Sequence, residues 1–180
     1  MAKNKAKTAL DAAKALRLSV PNMMKIATLR AAEAGKCERQ EYPPVGCLAV
    51  DLSGSQPRVR SISVNGPAAG VTCSWDRDPC GCVHAEQRAV VKLMASQSFK
   101  PGEVALICTR MPCLRCASLV AETAGYTGVA LVVYNHDRDT NHDHDTEIRA
   151  CGALTAAGVM MLPHWYDVGD LRPLGEILRG

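Results

Sequence analysis

The sequence predicts an α/β fold, a three-layer αβα sandwich in which helices cover both faces of a five-stranded mixed sheet. Two observations carry this. Short, fully apolar runs such as Val104-Ala105-Leu106-Ile107-Cys108 and Val129-Ala130-Leu131-Val132-Val133-Tyr134 read as strands buried on both faces, the mark of parallel pairing. Stretches with apolar residues at helical spacing alternate with them, and strand–helix alternation builds layered α/β sheets. A length of 180 residues suits one domain. We therefore expect residues 1–180 to form a single unit, with 1–36 as an N-terminal helical extension.

That extension is rich in Ala, Leu, Lys and Arg from Thr8 to about Lys36 and is interrupted at Ser19-Val20-Pro21-Asn22. It predicts two helices, the second opening on an Asn22 cap or a Pro21 first-turn position and ending near Gly35. Val45–Val50 is a short apolar run, and Arg58–Val64 alternates polar with apolar; joined through Ser53-Gly54-Ser55, they predict an antiparallel pair. The stretch after Asn65-Gly66-Pro67 holds Gly70, Pro79 and Gly81 and is expected to be irregular. A helix follows from Glu86 to about Ala95. Next come a strand at Val104–Cys108, a loop at Thr109-Arg110-Met111, a helix from about Pro112 to Ala124 and a strand at Val129–Tyr134. A polar loop, a helix from about Thr146 to Ala157 and a strand at Val159–Leu162 complete the series.

Composition narrows the function classes. No apolar run approaches the roughly 20 residues that a membrane helix needs. The net charge of +3 is small, and a single Phe with two Trp offers little of the aromatic platform that single-stranded nucleic acid stacks on, so a small-molecule substrate is expected rather than a polynucleotide. The start Met1-Ala2-Lys3-Asn4-Lys5 lacks the apolar core of a secretory signal, which predicts a reducing, cytoplasmic setting. Nine cysteines then point to metal binding or catalysis rather than disulfides.

Two segments concentrate the chemistry: His84-Ala85-Glu86 and Pro112-Cys113-Leu114-Arg115-Cys116. Cys113 and Cys116 are one helical turn apart, so both thiolates can face one point. Zinc takes nitrogen and sulfur donors in a tetrahedron, and a catalytic zinc keeps three protein ligands and leaves the fourth position to water. His84, Cys113 and Cys116 supply such a set if both segments open helices at the same sheet edge. Helix N-termini also favour thiolate over thiol. Glu86 is then placed to move the protons of the water.

His-x-Glu at one helix start followed by Pro-Cys-x-x-Cys at the next is the pattern of zinc nucleobase deaminases. Over about Tyr42 to Val159 the chain resembles the cytidine deaminase-like superfamily, and within it the deoxycytidylate (dCMP) deaminases. Val45-Gly46-Cys47 resembles the family's first strand, Asn65-Gly66-Pro67 its Asn-Gly loop, and Ala157-Gly158-Val159 the approach to its last strand. The resemblance implies the cytidine deaminase-like fold and hydrolysis of dCMP to dUMP and ammonia, supplying thymidylate synthesis. It further implies that Glu86 serves ring nitrogen and leaving amine, that the Ala85 N–H and the Cys113 region hold the base carbonyl, and that Asn65 binds the sugar.

Arg110, Arg115 and Arg138 are the candidates for the phosphate. The family's aromatic in the loop after the fourth strand is replaced by Asn141, which leaves the nucleotide preference open between dCMP and a related substrate. Cys73, Cys80 and Cys82 crowd the loop before His84, either as a second, structural zinc site, which some dCMP deaminases carry, or as thiols lining a buried loop. Resemblance also implies a homo-oligomer, often a hexamer, activated by dCTP and inhibited by dTTP. Guanine, riboflavin-precursor and tRNA adenosine deaminases share the fold and the zinc set. A purely structural zinc module has no use for Glu86.

Overall fold

A computed structural model of the chain describes residues 13, 14, 16, 19–34, 44–73, 81–96, 99–135 and 144–164. In chain order these form α1 (Val20–Ala34), β1 (Gly46–Asp51), β2 (Arg58–Val64), α2 (Ala85–Met94), β3 (Val104–Cys108), α3 (Leu114–Thr127), β4 (Val129–Tyr134), α4 (His144–Ala156) and β5 (Met160–Pro163). The strands make one five-stranded sheet in the order β2-β1-β3-β4-β5. β1 runs antiparallel to both β2 and β3, while β3, β4 and β5 are parallel. The sheet is mixed, as the sequence predicts. Of the expected first helix, Ala13, Lys14 and Leu16 are described and helical; Cys80, Arg138 and Asn141 lie outside the described residues.

Every residue of β1, β3 and β4 is buried, because each central strand has a helix layer on both sides. Successive residues serve different layers. Leu48 and Val50 of β1, with Ala105 and Ile107 of β3, pack against Val20, Met23, Met24 and Ala27 of α1. Cys47 and Ala49, with Leu106 and Cys108, face Ala85, Ala89 and Leu93 of α2 and Ala117, Val120 and Ala124 of α3. The buried positions of α1 fall at Val20, Met23, Met24, Ala27 and Ala31, a single stripe of helical period. Among the three central strands the alternation is interrupted in β4. Val104 pairs with Val129 but Ala105 with Leu131, so Ala130 is an extra residue, and this bulge lets Val129 face the α3 layer while Leu131 faces α1.

A similar skip leaves Arg60 of β2 without a ladder partner. Its guanidinium turns onto the buried carboxylate of Asp51, with Nε donating at 2.8 Å, and the Ser53 hydroxyl donates to the same carboxylate at 2.7 Å. A charge at the end of β1 is thereby partnered on both oxygens.

Gly46 opens β1 where α1 crosses it. A Cβ added there would stand 2.3 Å from the Ala27 carbonyl oxygen and 3.3 Å from the Ala31 Cβ, so the helix backbone itself fills the space a side chain would need. Gly46→Ala is expected to destabilise the protein by about 3 kcal/mol, the upper end of overpacking because the obstacle is backbone rather than a flexible side chain. For a chain of this size that is a fall of roughly 6–12 °C in melting temperature, to be read from a thermal melt; an unchanged Tm would mean that α1 shifts without cost. Gly128, the C-cap of α3, is left-handed with φ of 71°, and its carbonyl accepts from the N–H groups of Gly102 and Val104, locking the end of α3 to the start of β3.

Candidate active site

The three donor residues arrive from two helix starts at one end of the sheet. His84 is the N-cap of α2 and Cys113 the N-cap of α3, both in extended conformation, with Cys116 one turn further on. Gln87, three residues into α2, accepts a 3.0 Å hydrogen bond from the His84 backbone N–H and fixes the direction in which the imidazole leaves the cap. On the other side Thr109 ties the end of β3 to the start of β1. Its N–H donates to the Gly46 carbonyl at 2.9 Å and its Oγ1 accepts from the Gly46 N–H at 2.9 Å, so the loop to Cys113 leaves from a fixed point. Neither Gln87 nor Thr109 stands out in the sequence; the three-residue offset of Gln87 from the cap is the one legible sign.

His84 Nδ1 lies 3.3 Å from Cys116 Sγ and 3.6 Å from Cys113 Sγ. Ligand atoms on a tetrahedral zinc, with bonds of about 2.0–2.1 Å to nitrogen and about 2.3 Å to sulfur, stand about 3.6 Å apart. The three donors fall within 4.8 Å of one another, the one such group among the described residues, and their burial grades from exposed His84 through Cys113 to buried Cys116. The set therefore fits zinc and keeps one side open.

Electrostatics favour one ionised sulfur here, that of Cys113. The Cys113 thiol is drawn down to about 3 by the hydrogen bond from Cys116, with His84 and the Cys116 N–H adding to the effect. Cys116, which supplies that hydrogen bond and is buried, moves upward. The contact with Cys113 raises His84 in turn.

Glu86, two residues past His84 in the first turn of α2, is 3% exposed, and its Oε2 has no hydrogen-bond partner. Burial raises its pKa above the usual carboxylate range. A carboxyl group sealed in the interior with a vacant acceptor is unfavourable for folding alone and suits a group that exchanges protons with a bound molecule.

Asn65 sits level with His84, because Gly66 and Val83 form an antiparallel bridge with N–H···O distances of 3.2 and 2.8 Å. Its Oδ1 accepts from the Val45 N–H at 2.9 Å. Ala85 is fully buried at the first helical position of α2, where backbone N–H groups have no partner within the helix. Arg115 is exposed in the first turn of α3 and close enough to oppose protonation of His84, while Arg110 is half-buried in the loop before Cys113. Cys73 Sγ and Cys82 Sγ are 3.5 Å apart.

Residues 19–134 match the model of the cytidine and deoxycytidylate deaminase zinc-binding region. The chain belongs to this family. Solved structures agree in fold. The dCMP deaminase of cyanophage S-TIM5 in complex with dCMP and dUMP superposes with a TM-score of 0.58 at 24% identity, covering 79% of this chain and 94% of that one. Its apo form gives a TM-score of 0.54 at 25% identity, covering 79% and 98%. The Rib2 deaminase of Aspergillus oryzae, a C-terminal deletion mutant, gives 0.54 at 16%, covering 80% and 83%. No curated protein sequence matches the chain. The chain is thus a zinc-region deaminase in which the matched span ends at the last residue of β4. Among the described residues no helix is long and apolar enough to cross a membrane.

Proposed function

We propose that the protein hydrolyses dCMP to dUMP and ammonia, supplying the precursor of thymidylate. The observation that carries the reading is the His84–Cys113–Cys116 cluster with the buried, unpartnered Oε2 of Glu86 beside it. Likeness to the cyanophage dCMP deaminase supports the choice of nucleotide.

His84, Cys113 and Cys116 would hold the zinc, which when bound would supply Lewis-acid polarisation of a water and bring its pKa towards neutrality. Glu86 accepts one proton of the water as the water oxygen bonds to C4 and delivers it to N3 of the cytosine; it then takes the proton of the new C4 hydroxyl to the amine, which leaves as ammonia as the C4–N bond breaks and the C4 carbonyl forms. The Ala85 N–H, at the positive end of α2, holds the base carbonyl together with the Cys113 region. Asn65 binds the sugar, and Arg110, Arg115 and Arg138 are the residues proposed for the phosphate.

Residues 1–180 act as one deaminase unit with 1–36 as its helical extension, in the cytoplasm, as a homo-oligomer, a hexamer, with dCTP and dTTP as effectors. Exposed Ile26 and Leu29 on α1 support an assembled state. A second zinc on Cys73, Cys80 and Cys82 is supported by the 3.5 Å Cys73–Cys82 approach, close to the sulfur–sulfur spacing of about 3.8 Å around one zinc.

Parallel ultraviolet assays of dCMP, CMP, deoxycytidine and dCTP test the substrate. The expected result is the highest kcat/KM for dCMP. Turnover of none of them overturns the reading, and a clear preference for another of the four replaces the nucleotide.

A further inference from the structure

We propose that Arg88 is a positioning residue for the sugar site: it holds the Asn65-Gly66-Pro67 loop in register with the zinc cluster. The inference rests on the reading that Asn65 binds the sugar of the substrate.

β2 ends at Val64, and the chain must then turn across the start of α2 to bring Asn65 beside His84. Three attachments hold it there. Asn65 Oδ1 takes the Val45 N–H, and Gly66 exchanges backbone hydrogen bonds with Val83. The third is Arg88, whose Nη2 donates to the Gly66 carbonyl at 3.0 Å and also to the Pro67 carbonyl. Proline brings no N–H to a ladder, so beyond Gly66 the backbone pairing with Val83 does not continue. Its carbonyl is taken up by a side chain instead. Arg88 belongs to the first turn of α2 through its own N–H, which donates to the His84 carbonyl at 3.1 Å. One residue therefore links the cap that carries the imidazole to the loop that carries Asn65.

The guanidinium makes both of its hydrogen bonds to this loop through one nitrogen, Nη2. Its Nε is buried without a hydrogen-bond partner, a cost that a surface arginine paired for stability would avoid. The fixed fork of the guanidinium lets a single Nη bridge two neighbouring carbonyls, which neutral side chains of helix length do less rigidly. With the loop released, the Asn65 amide would keep its chemistry and lose its place.

The test compares dCMP with 2′,3′-dideoxycytidine monophosphate, which lacks the sugar hydroxyl, in the wild type, Arg88→Met, Arg88→Lys, Asn65→Ala and the Met/Ala double variant, with zinc content measured for each. Arg88→Met is expected to keep its zinc and its kcat and to raise KM for dCMP roughly tenfold, the worth of one lost hydrogen bond. KM for the dideoxy substrate stays at the wild-type value, Asn65→Ala gives the same pattern, the double variant adds nothing to either, and Arg88→Lys recovers part of the loss. If Arg88→Met has no melting transition, Arg88→Gln carries the comparison. An unchanged KM for dCMP, an equal rise for both substrates, or additive effects in the double variant overturn the role of Arg88. A wild type that turns over neither nucleotide, or an Asn65→Ala variant that matches it, overturns the underlying reading of the site instead.

Discussion

Glu86→Gln is expected to lower kcat for dCMP by about four orders of magnitude while zinc content stays at the wild-type level. A positioned acid–base group contributes roughly 10²–10⁴ in rate, and Glu86 is assigned more than one transfer in the cycle, which places the loss at the top of that range. Glutamine fills the same volume at a site only 3% exposed, so packing is conserved and only the capacity to pass a proton is removed. Melting temperature should not fall, since the wild-type carboxyl is buried with an unpartnered oxygen, Oε2, and neutralising it relieves a desolvation cost. Steady-state ultraviolet kinetics with metal analysis on the same samples make the measurement. Retention of activity within tenfold of wild type sinks the proton-transfer role.

Loss of the metal is expected to be as severe. Cys116→Ser removes the most buried of the three donors and puts a poor zinc ligand one turn inside α3. We expect the variant to hold one zinc fewer per chain than wild type and to show no measurable deamination. Treating the wild type with a chelator should abolish activity, and added zinc should restore it. Metal counting also decides the second site, because the wild type should carry two zinc ions if the cysteines before His84 hold one, and one if they do not. Full activity in a sample stripped of all zinc would rule out the mechanism.

The sequence made the central strands easy to read for a physical reason: β3 and β4 are covered on both sides, so all their residues are apolar and no other local pattern competes. The two helix starts carrying His84 and Cys113 were legible because ligand chemistry limits which residues can stand there. Helix limits were less so. Pro112 suits a first helical position, but α3 begins at Leu114 because Cys113 takes the extended cap conformation, φ −65° and ψ 163°. Likewise α1 starts at Val20, so Pro21 takes the expected first-turn position and Asn22 lies inside the helix rather than at its cap. Insertion of β1 between β2 and β3 leaves no mark on any single segment, since it depends on pairing across more than fifty residues. The extra residue at Ala130 is equally silent, for alanine fits either side of a sheet. Arg88 reads in sequence as one more charge on a helix, and only the fold reveals the carbonyls it meets.

The alternation along β1 has a consequence for how this molecule can change over time. Cys47 and Ala49 look towards the layer that delivers His84, Glu86, Cys113 and Cys116, whereas Leu48 and Val50 look towards α1. Reactivity and anchorage are thus assigned to opposite sides of a wall one strand thick. Drift in the side chains beneath α1 can alter how firmly the wall stands without touching the reacting groups, and the chemical side can be retuned for another base without rebuilding the foundation.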